Sequence, residues 1–243
     1  MSSVAEFQVF DQDEHLRLNI PEEPFNTQIL LPWARRLPTP GRILDLTAGQ
    51  GIEAHTLRGL GYPTVAADLS FFMLQNAYAD RRVLHEVTSL PFAPYSFEGA
   101  LTKDALVFIS PTDRVAMFRG LKRLIRPHGS LLVNSQISTH MKIYYRPKDS
   151  NLATSEIVAN TQQLFPASKT GHGPWIDQIA QITNAGGHIF MVEYPATPEL
   201  ILGQAQEFGF TPVDMQLYNP HTIDTQSNRW SPLGRFILEL KKQ

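Results

Sequence analysis

The chain reads as an α/β fold, a mostly parallel sheet flanked by helices and closed by one antiparallel strand. Three observations predict it. From about residue 40 to 136, short apolar runs alternate with segments of helical periodicity, which implies parallel strands joined by right-handed crossovers. The stretch Ile43-Leu44-Asp45-Leu46-Thr47-Ala48-Gly49-Gln50-Gly51 ends an apolar run in a carboxylate and then passes through small residues and two glycines. That is a strand, a tight turn and the start of a helix. Finally, the last two apolar runs, 211–218 and 235–240, have no crossover helix between them, so the final strand should be antiparallel.

In order along the chain, residues 1–24 form an arm of mixed polarity. A helix follows with Asn26 as its cap, presenting Ile29, Leu30, Trp33 and Leu37 to the sheet, kinked at Pro32 and ended by Pro38 and Pro40. Strands are expected at 42–46, 64–68, 83–87, 98–102 and 130–135, with helices near 51–60, 70–80 and 111–126 between them. The last of these starts at Ser110-Pro111 and turns Val115, Phe118, Leu121 and Ile125 to the core. Its basic residues Arg114, Arg119, Lys122, Arg123 and Arg126 read as a solvated face. A helix from Pro198 to about Phe208 leads to the closing pair of strands. Residues 140–197 break the alternation. They suggest a helix at 153–165, a loop at Gly171-His172-Gly173-Pro174, a second helix at 175–184 and a strand at 188–192. Placed after strand five, this insertion would cover the crevice at the carboxyl ends of the strands as a substrate lid; an oligomerisation element is the other reading. The whole is taken as a single domain, 1–243, with 1–40 as N-terminal arm and helix and 140–197 as lid.

The glycine turn has an acid on either side of it. Seventeen residues after Gly51, a second apolar run ends in Asp68, an interval that suits a nucleoside whose ribose hydroxyls meet the acid. Gly49-x-Gly51-x-x-Ala54 also satisfies the dinucleotide pattern, so nicotinamide and flavin chemistry has to be weighed. Asp45 separates the two readings. A carboxylate in the turn repels a pyrophosphate and attracts a ligand carrying ammonium and sulfonium charge. S-adenosylmethionine (SAM) is such a ligand.

These residues resemble the class I SAM-dependent methyltransferases, in particular their small-molecule subfamily of the type 11 kind. Asp45, Thr47, Gly49 and Gly51 stand where that family has its first motif, with Thr47 in a position usually held by glycine. Asp68-Leu69-Ser70 with Met73-Leu74 matches the second motif, and Glu86 with Leu90-Pro91-Phe92 the third, where aspartate is the commoner acid. Ser96-Phe97-Glu98-Gly99-Ala100, Leu124-Ile125-Arg126-Pro127-His128-Gly129 and Glu207-Phe208-Gly209-Phe210 are similar to later strand boundaries. The ordered matches run from about 40 to 136 and from about 196 to 241. The resemblance implies a Rossmann-like three-layer sandwich whose seven-stranded sheet has an antiparallel last strand. It also implies cofactor contacts from Asp45, Thr47, Ala48, Gly49, Gly51, Asp68, Leu69, Glu86, Val87 and Lys103.

Composition removes several alternatives. The chain has 243 residues, no cysteine and a net charge of −2, so thiolate chemistry is absent, a reducing cytoplasmic setting is expected and a nucleic-acid substrate is disfavoured. The N-terminus lacks the basic and apolar regions of a signal peptide, and no run reaches the ~20 apolar residues of a membrane span. No metal-ligand spacing stands out. Strand four ends in Thr102-Lys103-Asp104-Ala105, which lacks the Asn-Pro-Pro-Tyr arrangement suited to exocyclic amines.

On the acceptor side, His140 is the first candidate base and His172 the second, with Asn134 and Tyr144 beside the reacting centre. The expected activity is transfer of a methyl group from SAM to a small metabolite by a monomer or homodimer. Two alternatives use the same cofactor: attack at the γ-carbon, which releases methylthioadenosine, and SAM binding without catalysis. A nicotinamide oxidoreductase is disfavoured by Asp45 and by the terminal hairpin.

Overall fold

All four residues of β1 (Ile43–Leu46) are buried, as a strand covered on both faces requires. The computed structural model describes residues 25–38, 41–75, 77, 79–139, 141–146, 155–159, 184, 188–218 and 234–243. On one side of β1 lie β2 (Thr64–Asp68) and β3 (Arg81–Leu84). On the other lie β4 (Phe97–Lys103), β5 (Ile125–Gln136), β10 (Arg235–Lys242) and β9 (Phe210–Tyr218), and the seven strands run in the order β3-β2-β1-β4-β5-β10-β9. β1 to β5 pair in parallel, whereas β10 is antiparallel to both β5 and β9. The order reverses between β1 and β4, so the loops leaving these strands diverge and open a crevice at their carboxyl ends.

Helices cover both faces. A π-helical turn at Asn26–Leu30 continues into α1 (Leu31–Ala34), which packs with α2 (Ile52–Gly59) on one face through Leu30, Trp33 and Leu57 against Ile43, Leu101, Leu132 and Ile237. Trp33 Nε1 donates to Ser130 Oγ at 2.8 Å, which satisfies the indole where it is buried. On the opposite face α4 (Pro111–Leu124) and α5 (Pro198–Gln206) place Phe118, Leu121 and Ile201 against Leu131, Val133, Phe236 and Leu238. Ser110 and Thr197 cap these two helices by accepting from Asp113 N and Leu200 N, each followed by a proline in the first turn. None of the described helices is long and apolar enough to cross a membrane.

Several expectations are corrected. Asn26 does not cap the first helix; its amide donates to Thr56 Oγ1 at 3.3 Å and ties the helix to α2. The third strand ends at Leu84, ahead of the expected 83–87, and the helix after Asp68, α3 (Phe71–Gln75), is shorter than 70–80. β5 starts at Ile125, directly out of α4, and its first residues pass a register shift against β4. His128 adopts φ 63° there, the conformation for which glycine is common at that position. The basic stripe on α4 is not wholly solvated either, because Arg114 is completely buried. Met117 and Leu124 are buried alongside it.

The insertion after β5 is a separate three-stranded antiparallel sheet, ordered β7-β6-β8, of β6 (Met141–Arg146), β7 (Ser155–Ala159) and β8 (His188–Glu193). The strand at 188–192 was expected; the helix at 153–165 is not present over Ser155–Ala159, which pairs with β6 instead. Ile157 and Val158 are β-branched and suit the pleat. The loop at 171–174 lies outside the described residues, as does the helix at 175–184 apart from residue 184.

At the neck of the insertion the chain crosses itself. Ser138 N donates to Ala196 O at 3.0 Å and Ala196 N returns a bond to Ser138 O at 2.7 Å, while Tyr194 N donates to Val107 O at 2.6 Å. Arg114 joins the same junction. Its Nε donates to Ile109 O at 2.8 Å and one Nη to Pro195 O at 2.7 Å. Burial lowers its guanidinium to about 9, an effect that Tyr194 partly opposes. Arg114→Ala should therefore destabilise the fold by about 1–3 kcal/mol for each stranded carbonyl, read as a lower Tm in thermal denaturation. Arg114→Lys should rescue little, because an ammonium lacks the planar fork that reaches both acceptors.

Candidate functional site

Where β1 ends, the backbone turns sharply enough to need left-handed conformations at three of five residues: Thr47 (φ 71°), Gly49 (φ 51°) and Gly51 (φ 71°). Thr47 is the unusual one, since a β-branched residue is strained in that region. Its Oγ1 lies 3.0 Å from Thr102 Oγ1 at the end of β4, and its N–H bonds to Ala67 O at 2.8 Å. The backbone thus keeps the bend a glycine would give, with a side-chain hydrogen bond across the crevice floor.

Two carboxylates frame this turn from below and from the side. Asp45 is buried, and its Oδ2 accepts from Ala54 N at 3.2 Å in the first turn of α2. Asp68 spans the turn: Oδ2 accepts from Gly49 N at 2.8 Å and Oδ1 from Ser70 N at 2.9 Å. Burial pushes Asp45 well above the ordinary carboxylate range; Glu53 and Asp68 add to the rise, while the Ala54 N–H and Lys103 oppose it. Asp68 is also raised by burial, against its bonds from Ser70 and Gly49 and the nearby His85. Negative charge is concentrated here, and a cation brought into the turn would lower both.

Above Gly49 the space is open: a Cβ built on it meets no heavy atom within 4 Å. The turn is a shelf with an acid on either side.

The remaining cofactor candidates spread outward from it. Ala48 is buried and Leu69 half-buried next to Asp68. Glu86 is exposed beyond the end of β3, and Val87 is half-buried against the core. Lys103 lies on the other side of the turn, where its Nζ pairs with Glu53 Oε1 at 2.9 Å in a mostly buried contact. Its charge opposes the rise of the Asp45 carboxyl. Asn134, near the end of β5, is buried and its backbone carbonyl accepts from Asp104 N at 3.0 Å. Tyr144 lies in β6. His140 and His172 fall outside the described residues.

The sequence pointed to no supporting role for Thr102, Glu53, Arg114 or His85. The buried His85 follows β3, donates its backbone N–H to the Asp68 backbone carbonyl at 3.0 Å and places ring Nδ1 2.7 Å from Glu86 O. Because a carbonyl only accepts, the neutral ring carries its proton on Nδ1. Burial lowers the imidazole's pKa, so it favours this neutral form. A glycine-rich turn is legible in sequence; a histidine one strand away is not. Among the described residues no group of three or more His, Cys, Asp or Glu is placed to hold a metal ion.

Comparison with known proteins agrees with this fold. Residues 44–133 match the methyltransferase domain family. A demethylmenaquinone methyltransferase from Mycolicibacterium vanbaalenii is 34% identical over 102 residues, 41% of this chain and 44% of that protein. The chain thus spans less than half the length of that relative. The 1,6-didemethyltoxoflavin-N1-methyltransferase of Burkholderia thailandensis, solved with 1,6-didemethyltoxoflavin and S-adenosylhomocysteine, superposes with a TM-score of 0.62 at 15% identity, covering 99% of this chain and 88% of that one. A SAM-dependent methyltransferase from Methanosarcina mazei gives a TM-score of 0.58 at 14% identity over 93% and 99% of the two chains. At such identities the structural likeness speaks for the fold.

Proposed function

We propose that the chain is a class I SAM-dependent methyltransferase that transfers a methyl group from SAM to a small-molecule acceptor, a reading supported by the match of residues 44–133 to the methyltransferase domain family and by the order of its sheet. The observation that carries this reading is the open shelf at Gly49 between the acids Asp45 and Asp68. A cationic amino-acid end fits over Asp45, which burial leaves short of compensating charge, and a ribose fits beside Asp68.

When bound, SAM supplies an electrophilic methyl on a positively charged sulfur. The protein then has to hold, align and exclude water, which can contribute roughly 7–11 kcal/mol. Gly49 and Gly51 give backbone close to the ligand without side-chain bulk, with Thr47 and Ala48 shaping the same turn. Each oxygen of Asp68 already accepts one N–H and keeps a lone pair for a ribose hydroxyl. Leu69 packs on the nucleobase, and Glu86 with Val87 meets its polar edge. Lys103 acts through Glu53, holding the charge balance under the turn.

The acceptor is placed between the shelf and the inserted sheet, which serves as a lid. Asn134 in β5 and Tyr144 in β6 are its candidate neighbours in this reading, and His140, with His172 second, takes a proton where the acceptor must lose one. Support for a small acceptor comes from the Burkholderia neighbour, which holds 1,6-didemethyltoxoflavin. A cytoplasmic location belongs to the same proposal.

Incubation with SAM and fractionated metabolites tests this directly. Mass spectrometry should find S-adenosylhomocysteine and a product heavier by one methylene; methylthioadenosine instead would replace methyl transfer by chemistry at the γ-carbon. With an acceptor in hand, His140→Ala should lower kcat by about 10²–10⁴ while SAM affinity in calorimetry stays unchanged. Undiminished turnover would remove His140 as base.

A further inference from the structure

The two edges of the seven-stranded sheet are built differently. At one edge β3 has four residues, two of which are Arg81 and Arg82. A short strand with adjacent cations repels a second copy of itself, a common protection against edge pairing. At the other edge β9 has nine residues, and Asp214 is its only charged one. Val213, Met215 and Leu217 on β9 are 56%, 50% and 63% exposed. They alternate with Asp214 and Gln216, so they form an apolar stripe on one face of an edge that pairs with no further strand among the described residues.

We propose that β9 pairs antiparallel with β9 of a second copy of this chain, making a two-fold dimer with a continuous sheet. The strand is self-complementary about Met215. In a two-fold register centred there, Val213 stands opposite Leu217 of the second copy, Met215 opposite Met215, and Asp214 opposite Gln216. Every apolar side chain meets an apolar one on the stripe face. On the other face each carboxylate meets an amide, and no like charges are opposed, which matters because directly opposed like charges are destabilising. Gln216 Nε2 donates to Asp214 Oδ2 at 2.7 Å within one strand, so the same donor and acceptor can exchange across the axis.

The run has a defined start. Val213 stands opposite no residue of β10, because the register shifts from Asp214↔Glu239 to Pro212↔Leu240, and Pro212 has no N–H to give a new neighbour. Pairing is thereby confined to the residues that carry the stripe. The occupant is a second copy because the pattern is palindromic, a requirement that an unrelated strand would have no reason to meet.

Light scattering during size-exclusion chromatography over a concentration series tests the proposal on the full chain. Wild type should elute with twice the chain mass at high concentration and dissociate on dilution. Met215→Lys places two ammonium groups on the axis and should give monomer at every concentration, with far-UV circular dichroism and Tm unchanged because the position is exposed. Leu84→Lys on the opposite edge should leave the dimer intact. Should Met215→Lys not fold, Val213→Glu makes the same test. A monomeric wild type, or a dimer that survives Met215→Lys, would overturn the proposal.

Discussion

Gly49→Val should abolish SAM binding and leave the fold in place. The backbone at Gly49 has φ 51°, and a Cβ added there meets no protein atom within 4 Å, so a branched side chain would grow into the space proposed for the ligand. The left-handed conformation costs a non-glycine residue on the order of 1–3 kcal/mol, which appears as a lower Tm with unchanged far-UV circular dichroism. Binding should suffer far more, by roughly a hundredfold or beyond, above about 2.7 kcal/mol. Gly49→Ala should fall between the two, since one methyl takes up less of the shelf. Calorimetric titration decides it: a folded Gly49→Val protein that binds SAM as wild type does would remove the turn from the site.

Asp45→Asn should move stability and binding in opposite directions. Burial, with Glu53 and Asp68 nearby, raises the Asp45 carboxyl. The folded state therefore holds a proton that the unfolded state has released between the ordinary carboxylate range and the raised value. Stability then falls as pH rises through that window, because the unfolded state binds fewer protons there. Asparagine keeps the shape without the charge, so the variant should be more stable than wild type at neutral pH and lose this part of the pH dependence.

Binding has the opposite sign. A cationic ligand prefers the ionised carboxylate, so wild-type affinity should strengthen as pH rises through the raised value, with a proton released on binding. Asparagine should weaken SAM by about 1.5–3 kcal/mol, the usual contribution of a charged hydrogen-bond partner. Titration calorimetry in buffers of different ionisation enthalpy reads both effects, and an unchanged affinity with unchanged proton release would show that Asp45 does not face the ligand.

What the sequence made legible follows from the range of the interactions involved. The first turn and both acids depend on neighbours a few residues away and on glycine's conformational freedom, so Asp45, Gly49, Gly51 and Asp68 fall where expected. The antiparallel final strand was legible because the sequence between 211–218 and 235–240 carries no helical periodicity for a crossover. Arg114 was misread because its burial depends on Pro195, 81 residues away, and on a helix face it looks like any solvated cation. The helix expected at 153–165 failed for another reason. Ser155–Ala159 gains its hydrogen bonds from β6, and pairing with a strand overrides weak local periodicity. His85 carries no motif; only the fold brings its ring beside Asp68.

The crossing at Ser138 and Ala196 has an evolutionary consequence. It brings the two ends of residues 139–195 together, hydrogen-bonded in both directions, while the seven-stranded sheet closes without them. Such a cassette can be lengthened, shortened or swapped with little disturbance to the scaffold beneath. Under the proposed function, new acceptor preferences would arise by exchange of this insertion, under selection separate from that acting on the proposed cofactor shelf.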